Sequence, residues 1–441
     1  MFLKRIPVLT LALASMSLSA GVLLAQNGAS SGAKLKYVVI VSRHGVRPPL
    51  WTDEQLNQYS SQPWPKWDVP AGHLTAHGAL LMKLLGAYDR AQFAKAGLLP
   101  AKGCVNADKV YFWADSEERT VSTARAVAAG MLPDCDVRVN SLAEDEADPI
   151  FSPTAAGVGH PDPLLSAASV IGRIGGHPDA LVQAYQPALE TLEEVLLGCK
   201  PGAKCPPEGM ESKICLFSTP ASIGVAKGGK GADMKGPIAT ASTLSEDFLL
   251  EYTNGMKGND FGWGRLDESK LRQIMSLHIA YSDLMRGTPY IGRASASNML
   301  SHILKSMQQA VSGSAVSGAL DKPGNRVLFL GGHDGNISNI SGVLGLSWLL
   351  PGYQPNDTPP GGALFFELWQ RPSGEYEVRS YYTAQTPEQM HNASPLTAEN
   401  PPAVAPLYLD GCSQSITGMP CSWKAFQHKV ESAIDPAMVK P

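Results

Sequence analysis

The chain has 441 residues, enough for two or more domains, and 44% of them are hydrophobic, an ordinary share for a protein that buries a large core. Lys and Arg number 36 against 40 Asp and Glu, a formal net charge of -4, so the basic excess of a nucleic-acid-binding chain is missing. Any anion site must therefore be a local gathering of arginines rather than a field over the whole surface.

At the N-terminus Lys4 and Arg5 precede an apolar stretch from Ile6 to Leu24, diluted by Ser15, Ser17 and Ser19. Ala20 and Ala25 offer small-residue cleavage points before the polar Asn27–Gly32 segment. That order predicts a cleaved export signal over residues 1–25 rather than a bilayer anchor, and so a periplasmic or secreted protein with no membrane contact after cleavage. Leu35–Val41 then reads as a strand, with β-branched residues and an almost unbroken apolar character that predicts burial on both faces. It stops at Ser42-Arg43-His44-Gly45. A helix is expected from Thr75, its N-cap, to Ala96, with Leu80, Leu81, Leu84, Leu85 and Tyr88 as its apolar stripe. Val110–Trp113 is a second short strand, running into the polar turn Asp115–Arg119 and an Ala-rich helix from about Thr120 to Met131.

From Pro153 to Gly264 the pattern changes to helical stretches separated by Gly-, Pro- and Lys-rich segments, and a mainly helical insertion is expected there. Lys227-Gly228-Gly229-Lys230-Gly231 lacks the GxxxxGK[ST] spacing and reads as a mobile surface loop rather than a phosphate-cradling one. Strand patterns return at Arg326–Leu330, Ala363–Trp369 and Tyr376–Tyr382. Strands alternating with helices predict an α/β sheet, over residues 35–152 and 265–441, carrying a helical cap over 153–264.

Seven cysteines occur with no CxxC pair and no zinc-like His spacing. In an oxidising compartment three disulfides are expected. Cys412 with Cys421 closes a short loop and Cys104 with Cys135 brackets one strand–helix unit. Cys215 pairs with Cys205 or Cys199, which leaves one thiol over.

The chemistry concentrates where strands end. Arg43-His44-Gly45-Val46-Arg47-Pro48-Pro49 stands at the carboxyl end of the first strand, where open α/β sheets bind ligands. Two guanidiniums within five residues repel unless an anion lies between them, and Arg suits phosphate because its planar fork donates two parallel hydrogen bonds. A solvated turn with ordinary arginines is the competing reading. Gly331-Gly332-His333-Asp334-Gly335-Asn336 follows a second strand in the same way, and it is this matching position that singles out an otherwise ordinary His-Asp pair. Arg119, in Asp115-Ser116-Glu117-Glu118-Arg119-Thr120 after the third, reads as another anion clamp or as a helix-start ion pair.

These residues resemble the histidine acid phosphatase family, in the branch of bacterial phytases and periplasmic glucose-1-phosphatases. The R-H-G-x-R-x-P motif and the distant H-D pair carry the likeness. It extends to Trp64-Pro65-Lys66-Trp67-Asp68-Val69-Pro70, Ala128-Ala129-Gly130, Gly262-Trp263-Gly264-Arg265, Thr358-Pro359-Pro360-Gly361-Gly362 and the terminal cysteine pair. The resemblance implies a phosphoglycerate-mutase-like α/β sandwich and a monomeric acid phosphomonoesterase acting on phytate or sugar phosphates. It implies His44 as nucleophile, Asp334 as proton donor kept protonated in mild acid, and Arg43, Arg47, Arg119 and His333 as phosphate ligands. Glu246 would line the substrate pocket from the cap. No metal or other cofactor is expected, because the arginines neutralise the phosphoryl charge.

Two positions depart from the phytase pattern. Leu50 follows Arg47-Pro48-Pro49 where those enzymes usually have Thr, and here the glucose-1-phosphatases look closer. Gly335 follows His333-Asp334 where phytases tend to have Thr and the sugar phosphatases Ser, so one hydroxyl toward substrate or the aspartate is missing. A binding protein without turnover would need the arginines but neither His44 nor Asp334. A mutase-like transferase shares the fold and the histidine, but export and the H-D pair favour hydrolysis. Gly28-Ala29-Ser30-Ser31-Gly32 matches G-x-S-x-G without the strand and helix a serine hydrolase needs. Asn336-Ile337-Ser338 is a formal glycosylation sequon beside the proposed pair.

Overall fold

A computed structural model describes residues 32–199 and 204–440. The export signal expected over 1–25 and the serine-hydrolase-like match centred on Ser30 lie outside the described residues. In chain order the elements begin with β1 (Lys34–Arg43), α1 (Asp53–Asn57), α2 (Ala76–Lys95), β2 (Val110–Ala114), α3 (Glu118–Met131) and β3 (Val139–Asn140). Then come α4 (Pro163–Arg173), α5 (Pro178–Ala184), α6 (Gln186–Leu197), β4 (Ser222–Val225), β5 (Ala232–Lys235), α7 (Pro237–Thr253) and α8 (Glu268–Met285). The chain continues with α9 (Pro289–Ser312), β6 (Val327–Gly332), α10 (Asp334–Leu344), β7 (Ala363–Gln370) and β8 (Tyr376–Ala384). It closes with α11 (Pro387–His391), β9 (Ala403–Pro406), β10 (Cys421–Ser422) and α12 (Trp423–Ala433).

The main sheet runs β10-β8-β7-β1-β6-β2-β3, with β9 paired to β8. β1, β6, β2 and β3 are parallel, while β7 and β8 add antiparallel strands on the other side of β1. β1 is thus central, and its successive side chains alternate between two cores as a strand requires. Tyr37, Val39 and Val41 pack with Met299, Ile337 and Phe426 on one face. Val38 and Ile40 pack with Met82, Leu85 and Val127 on the other. Each fully buried aliphatic or aromatic side chain contributes about 1.5–3 kcal/mol over an exposed one. The continuous apolar run is therefore the signature of a strand covered by helices on both sides.

On the second face α2 and α3 meet almost backbone to backbone. A Cβ on Gly130 would stand 2.0 Å from the Lys83 carbonyl oxygen, and one on Gly86 2.2 Å from that of Val127. Thr75 caps α2, its hydroxyl accepting from the Gly78 amide, as its sequence position predicts. The α3 helix begins at Glu118, earlier than expected, so Arg119 belongs to its first turn.

A third core lies apart from the sheet. Leu189, Leu192 and Val195 of α6 pack there with Leu244 and Phe248 of α7 and Ile274 and Leu277 of α8. Leu56 and Trp64 join from the N-terminal part, so this core draws on residues on both sides of the 153–264 stretch. The Lys227–Gly231 segment is not simply a surface loop. It connects β4 and β5 in an antiparallel hairpin, with Val225 opposite Ala232. Its strands are short and polar on one side, which is why no strand signal stood out in the sequence.

Disulfides join Cys104 to Cys135, Cys205 to Cys215 and Cys412 to Cys421, leaving Cys199 as a free thiol. The choice left open for Cys215 thus falls on Cys205. Among the described residues no helix is long and apolar enough to cross a membrane. Replacing Gly130 with Ala forces α2 and α3 apart, and a thermal or urea melt should show a loss of about 1–3 kcal/mol, the usual range for overpacking. An unchanged melting curve would mean the two helices are free to separate there.

Candidate active site

The strand order explains why distant motifs meet. In the parallel register Arg43 lies opposite Gly332, and Ala114 opposite Gly331, so β1, β6 and β2 end side by side. The chain beyond each end is then locked to its neighbour: the His44 amide donates to the Gly332 carbonyl (2.8 Å) and the Asp115 amide to that of Gly331 (2.9 Å). The Thr358–Gly362 turn braces the same point. The Arg43 amide donates to the Gly362 carbonyl (2.9 Å), the Gly361 amide to that of His44 (3.0 Å), and an Arg43 Nη to that of Thr358 (2.5 Å). The Gly45 amide is held by Thr123 Oγ1 at 2.9 Å.

His44 is buried, and its Nδ1 lies 2.8 Å from the Gly45 carbonyl oxygen. A carbonyl only accepts, so Nδ1 carries the hydrogen and Nε2 keeps a free lone pair. Burial pushes its pKa well below the usual imidazole range, and Arg43, Arg47, Arg119 and His333 push it the same way. It is a neutral base in a cationic setting. Arg43, Arg47 and Arg119 each retain a buried Nε–H with no protein partner. Unpartnered buried donors are costly, and three of them around one imidazole describe a cradle for a compact oxyanion.

Countercharge comes from two directions. From α7, Glu246 pairs with Arg43 through one carboxylate oxygen and approaches Arg47 at 3.4 Å through the other. Burial alone would raise its pKa, but Arg43, Arg47 and then His278 hold it down at about 2. From the β2 side, Asp115 and Glu117 accept from His333 Nε2 at 2.9 and 3.1 Å. Burial opposes the charged ring, yet these two carboxylates raise the His333 pKa above its ordinary value. Glu117 is lowered to about 2, since the His333 contact and Arg119 outweigh its own burial. Two imidazoles whose ring centroids are 5.6 Å apart are thus driven in opposite directions, one neutral and one cationic.

Asp334 opens α10 beside this pair. Its Oδ2 accepts from Arg286, with His278 Nε2 3.8 Å away. Burial would raise the carboxyl pKa, but Arg286, Arg43, His278 and His44 hold it well below the usual carboxylate range. These neighbours favour the charged form of Asp334. Asn336 is buried, its Oδ1 accepting from the His333 amide and its Nδ2 donating to the Phe151 carbonyl. The formal sequon is thus a brace for His333, with its amide already committed.

All seven expected site residues come together. Sequence reasoning passed over the residues that balance them: Asp115 and Glu117 inside a quoted turn, Thr123 one turn into α3, and His278 with Arg286 on α8 and its end. Arg286 precedes Gly287-Thr288-Pro289, where a basic residue reads as an ordinary helix C-terminus. Glu246, His278 and Asp334 bring ligand-type atoms within 4.8 Å of one another, as do Asp115, Glu117 and His333. In both groups the carboxylates already face guanidinium or imidazolium partners, a donor set suited to an anion among arginines rather than to a cation.

Comparison with known proteins agrees with this arrangement. A phytase of Escherichia coli strain K12, phytase AppA, is 35% identical over 407 residues, covering 92% of this chain and 93% of its own. A glucose-1-phosphatase of Providencia rettgeri is 26% identical over 405 residues, covering 91% and 92%. Among solved structures, Hafnia alvei phytase in complex with tartrate superposes with a TM-score of 0.85 at 34% identity, over 93% of this chain and 99% of that one. The same phytase in complex with myo-inositol hexakis sulphate gives 0.83 at 35% identity, over 93% of this chain and 99% of that one. The model of the histidine phosphatase superfamily (branch 2) matches residues 34–161 and 242–383, and the chain belongs to that family.

Proposed function

We propose that this chain is an acid phosphomonoesterase that passes phosphate through a phosphohistidine on His44. The observation that carries this reading is a buried, neutral imidazole, fixed through Nδ1, among three guanidiniums that each keep a buried Nε–H unpartnered. Nε2 attacks phosphorus in line, forming the P–N bond as the P–O bond to the alcohol breaks. Arg43, Arg47, Arg119 and the cationic His333 hold the non-bridging oxygens, where charge spreads in the transition state. Asp334 binds a proton from solvent before the bond breaks and gives it to the departing alkoxide. Water then attacks the phosphohistidine, giving its proton to the same carboxylate, and His44 leaves neutral.

The substrate class we assign is phosphate monoesters of sugars and polyols, phytate included. Whole-chain likeness runs further toward phytases than toward glucose-1-phosphatases, at 35% against 26% identity, although Leu50 and Gly335 depart from the phytase pattern. Leu50 is more than half exposed and packs beside Gly72, which in turn lies against Arg119. A periplasmic or secreted location is supported by the export-type N-terminus and the three disulfides.

Steady-state phosphate release from p-nitrophenyl phosphate should fall at least about 1,000-fold in His44→Ala, because no other nucleophile stands in the cradle. Folded wild-type protein that releases no phosphate from any monoester would instead favour a binding protein. Asp334→Asn should cost about 100-fold or more in kcat on β-glycerophosphate, whose alkoxide needs a proton, and much less on p-nitrophenyl phosphate, whose phenolate does not. Equal losses on both esters would remove Asp334 as the acid. The active form needs His44 neutral and His333 charged. Since burial and cations lower the first pKa while carboxylates raise the second, kcat/KM for p-nitrophenyl phosphate should plateau across mild acid. Its acid limb should fall below the usual imidazole range; an acid limb at or above that range would contradict the assignment.

A further inference from the structure

The phosphoryl cradle uses Arg43, Arg47, Arg119 and His333, but a fourth guanidinium stands on the other side of Asp334. Arg286 stands at the end of α8, and its guanidinium donates to Asp334 Oδ2 with no other side-chain hydrogen bond to a described residue. Its side chain is 31% exposed, so part of it is open to solvent while Asp334 occupies one side. Beside it His278 Nε2 is buried, 3% exposed as a residue, and has no hydrogen-bond partner. Gly335 lies directly beneath: a Cβ built there would come to 3.7 Å of both Arg286 Cδ and Nε. A side chain at 335 would therefore lie in van der Waals contact with Arg286.

Resting on the phosphatase reading above, we infer that Arg286 and His278 form a subsite for a second phosphate on the leaving alcohol, and that occupying it releases Asp334 to take up the proton it donates. The chemistry favours this occupant. A guanidinium edge pairs bidentately with phosphate, whereas a neutral sugar hydroxyl offers it one weak acceptor. The groups facing Asp334 are Arg43 at the end of β1, His44 just beyond it, Glu246 from α7, His278 from α8, Arg286 at its end and Tyr382 from β8. Of its cationic neighbours Arg286 is the one in direct contact and partly open to solvent, so it is the one a substrate can draw off. Once it turns to the second phosphate, the Asp334 carboxylate binds one proton from solvent. That proton passes to the ester oxygen as the P–O bond breaks and the P–N bond to His44 forms, leaving free alcohol and the Asp334 carboxylate.

The test compares wild type, Arg286→Gln, Gly335→Thr and the double variant on phytate, β-glycerophosphate and p-nitrophenyl phosphate. In Arg286→Gln, kcat/KM on phytate should fall at least about tenfold more than on β-glycerophosphate, mostly through KM. On β-glycerophosphate the basic limb of the pH profile should move to higher pH, because losing the adjacent cation raises the Asp334 pKa. Gly335→Thr should shift both quantities in the same direction by crowding the guanidinium, and the double variant should be no worse than the single ones. Equal losses on all three esters with an unmoved basic limb would overturn the subsite, leaving Arg286 as a structural brace for Asp334. Wild-type protein inactive on all three would sink the phosphatase reading itself, and the subsite with it; an active wild type separates the two failures.

Discussion

Cations crowd the carboxyl edge of this sheet, and the site exists because their repulsion is balanced group by group. Arg43 and Arg47 share Glu246, Arg119 stands by Glu117, His333 leans on Asp115 and Glu117, and Arg286 on Asp334. Like charges in a low-dielectric setting are costly, and breaking any one buried pair strands its partner. The order β1-β6-β2 is what allows the balance, since it delivers the Arg43-His44, His333-Asp334 and Asp115–Arg119 segments to adjacent positions. His44, which has no carboxylate of its own, is left uncharged among them.

This dependence explains the close packing behind the site. Arg119 can reach the cradle because α3 starts immediately after β2, and α3 is held to α2 at Gly86 and Gly130 without intervening side chains. The Thr358–Gly362 turn is equally tight: a Cβ on Gly362 would stand 2.0 Å from the Tyr382 hydroxyl oxygen. Small residues at these points let rigid backbone, rather than mobile side chains, set where the arginines begin.

Much of this was legible in the sequence because strand ends leave a clear mark. Leu35–Val41, Val110–Trp113 and Arg326–Leu330 are short apolar runs that stop abruptly at polar residues, and those residues turned out to be neighbours. The counterions were less legible. Asp115 and Glu117 look like an ordinary acidic helix start, and His278 and Arg286 sit in an amphipathic helix whose polar positions could all face water. Nothing local distinguishes a carboxylate that balances a distant arginine from one that is merely solvated. For the same reason the partner of Asp334 was missed: Arg286 lies 48 residues away and carries no local mark. The β4–β5 hairpin was hidden by its brevity, and the Cys205–Cys215 pairing by the equal spacing logic of Cys199.

The Glu246 bridge also joins two bodies of apolar packing, since α7 contributes Leu244 and Phe248 to the helical core while Arg43 ends the central strand. Its carboxylate titrates at about 2, against an ordinary value of 4.5. A group whose pKa is depressed by folding lends stability above its unfolded pKa and loses it only as the pH falls through the folded one. The bolt between roof and sheet therefore stays closed through the acidity at which most surface carboxylates have already been neutralised. The charge that keeps two arginines apart thus also lends this one contact resistance to acid.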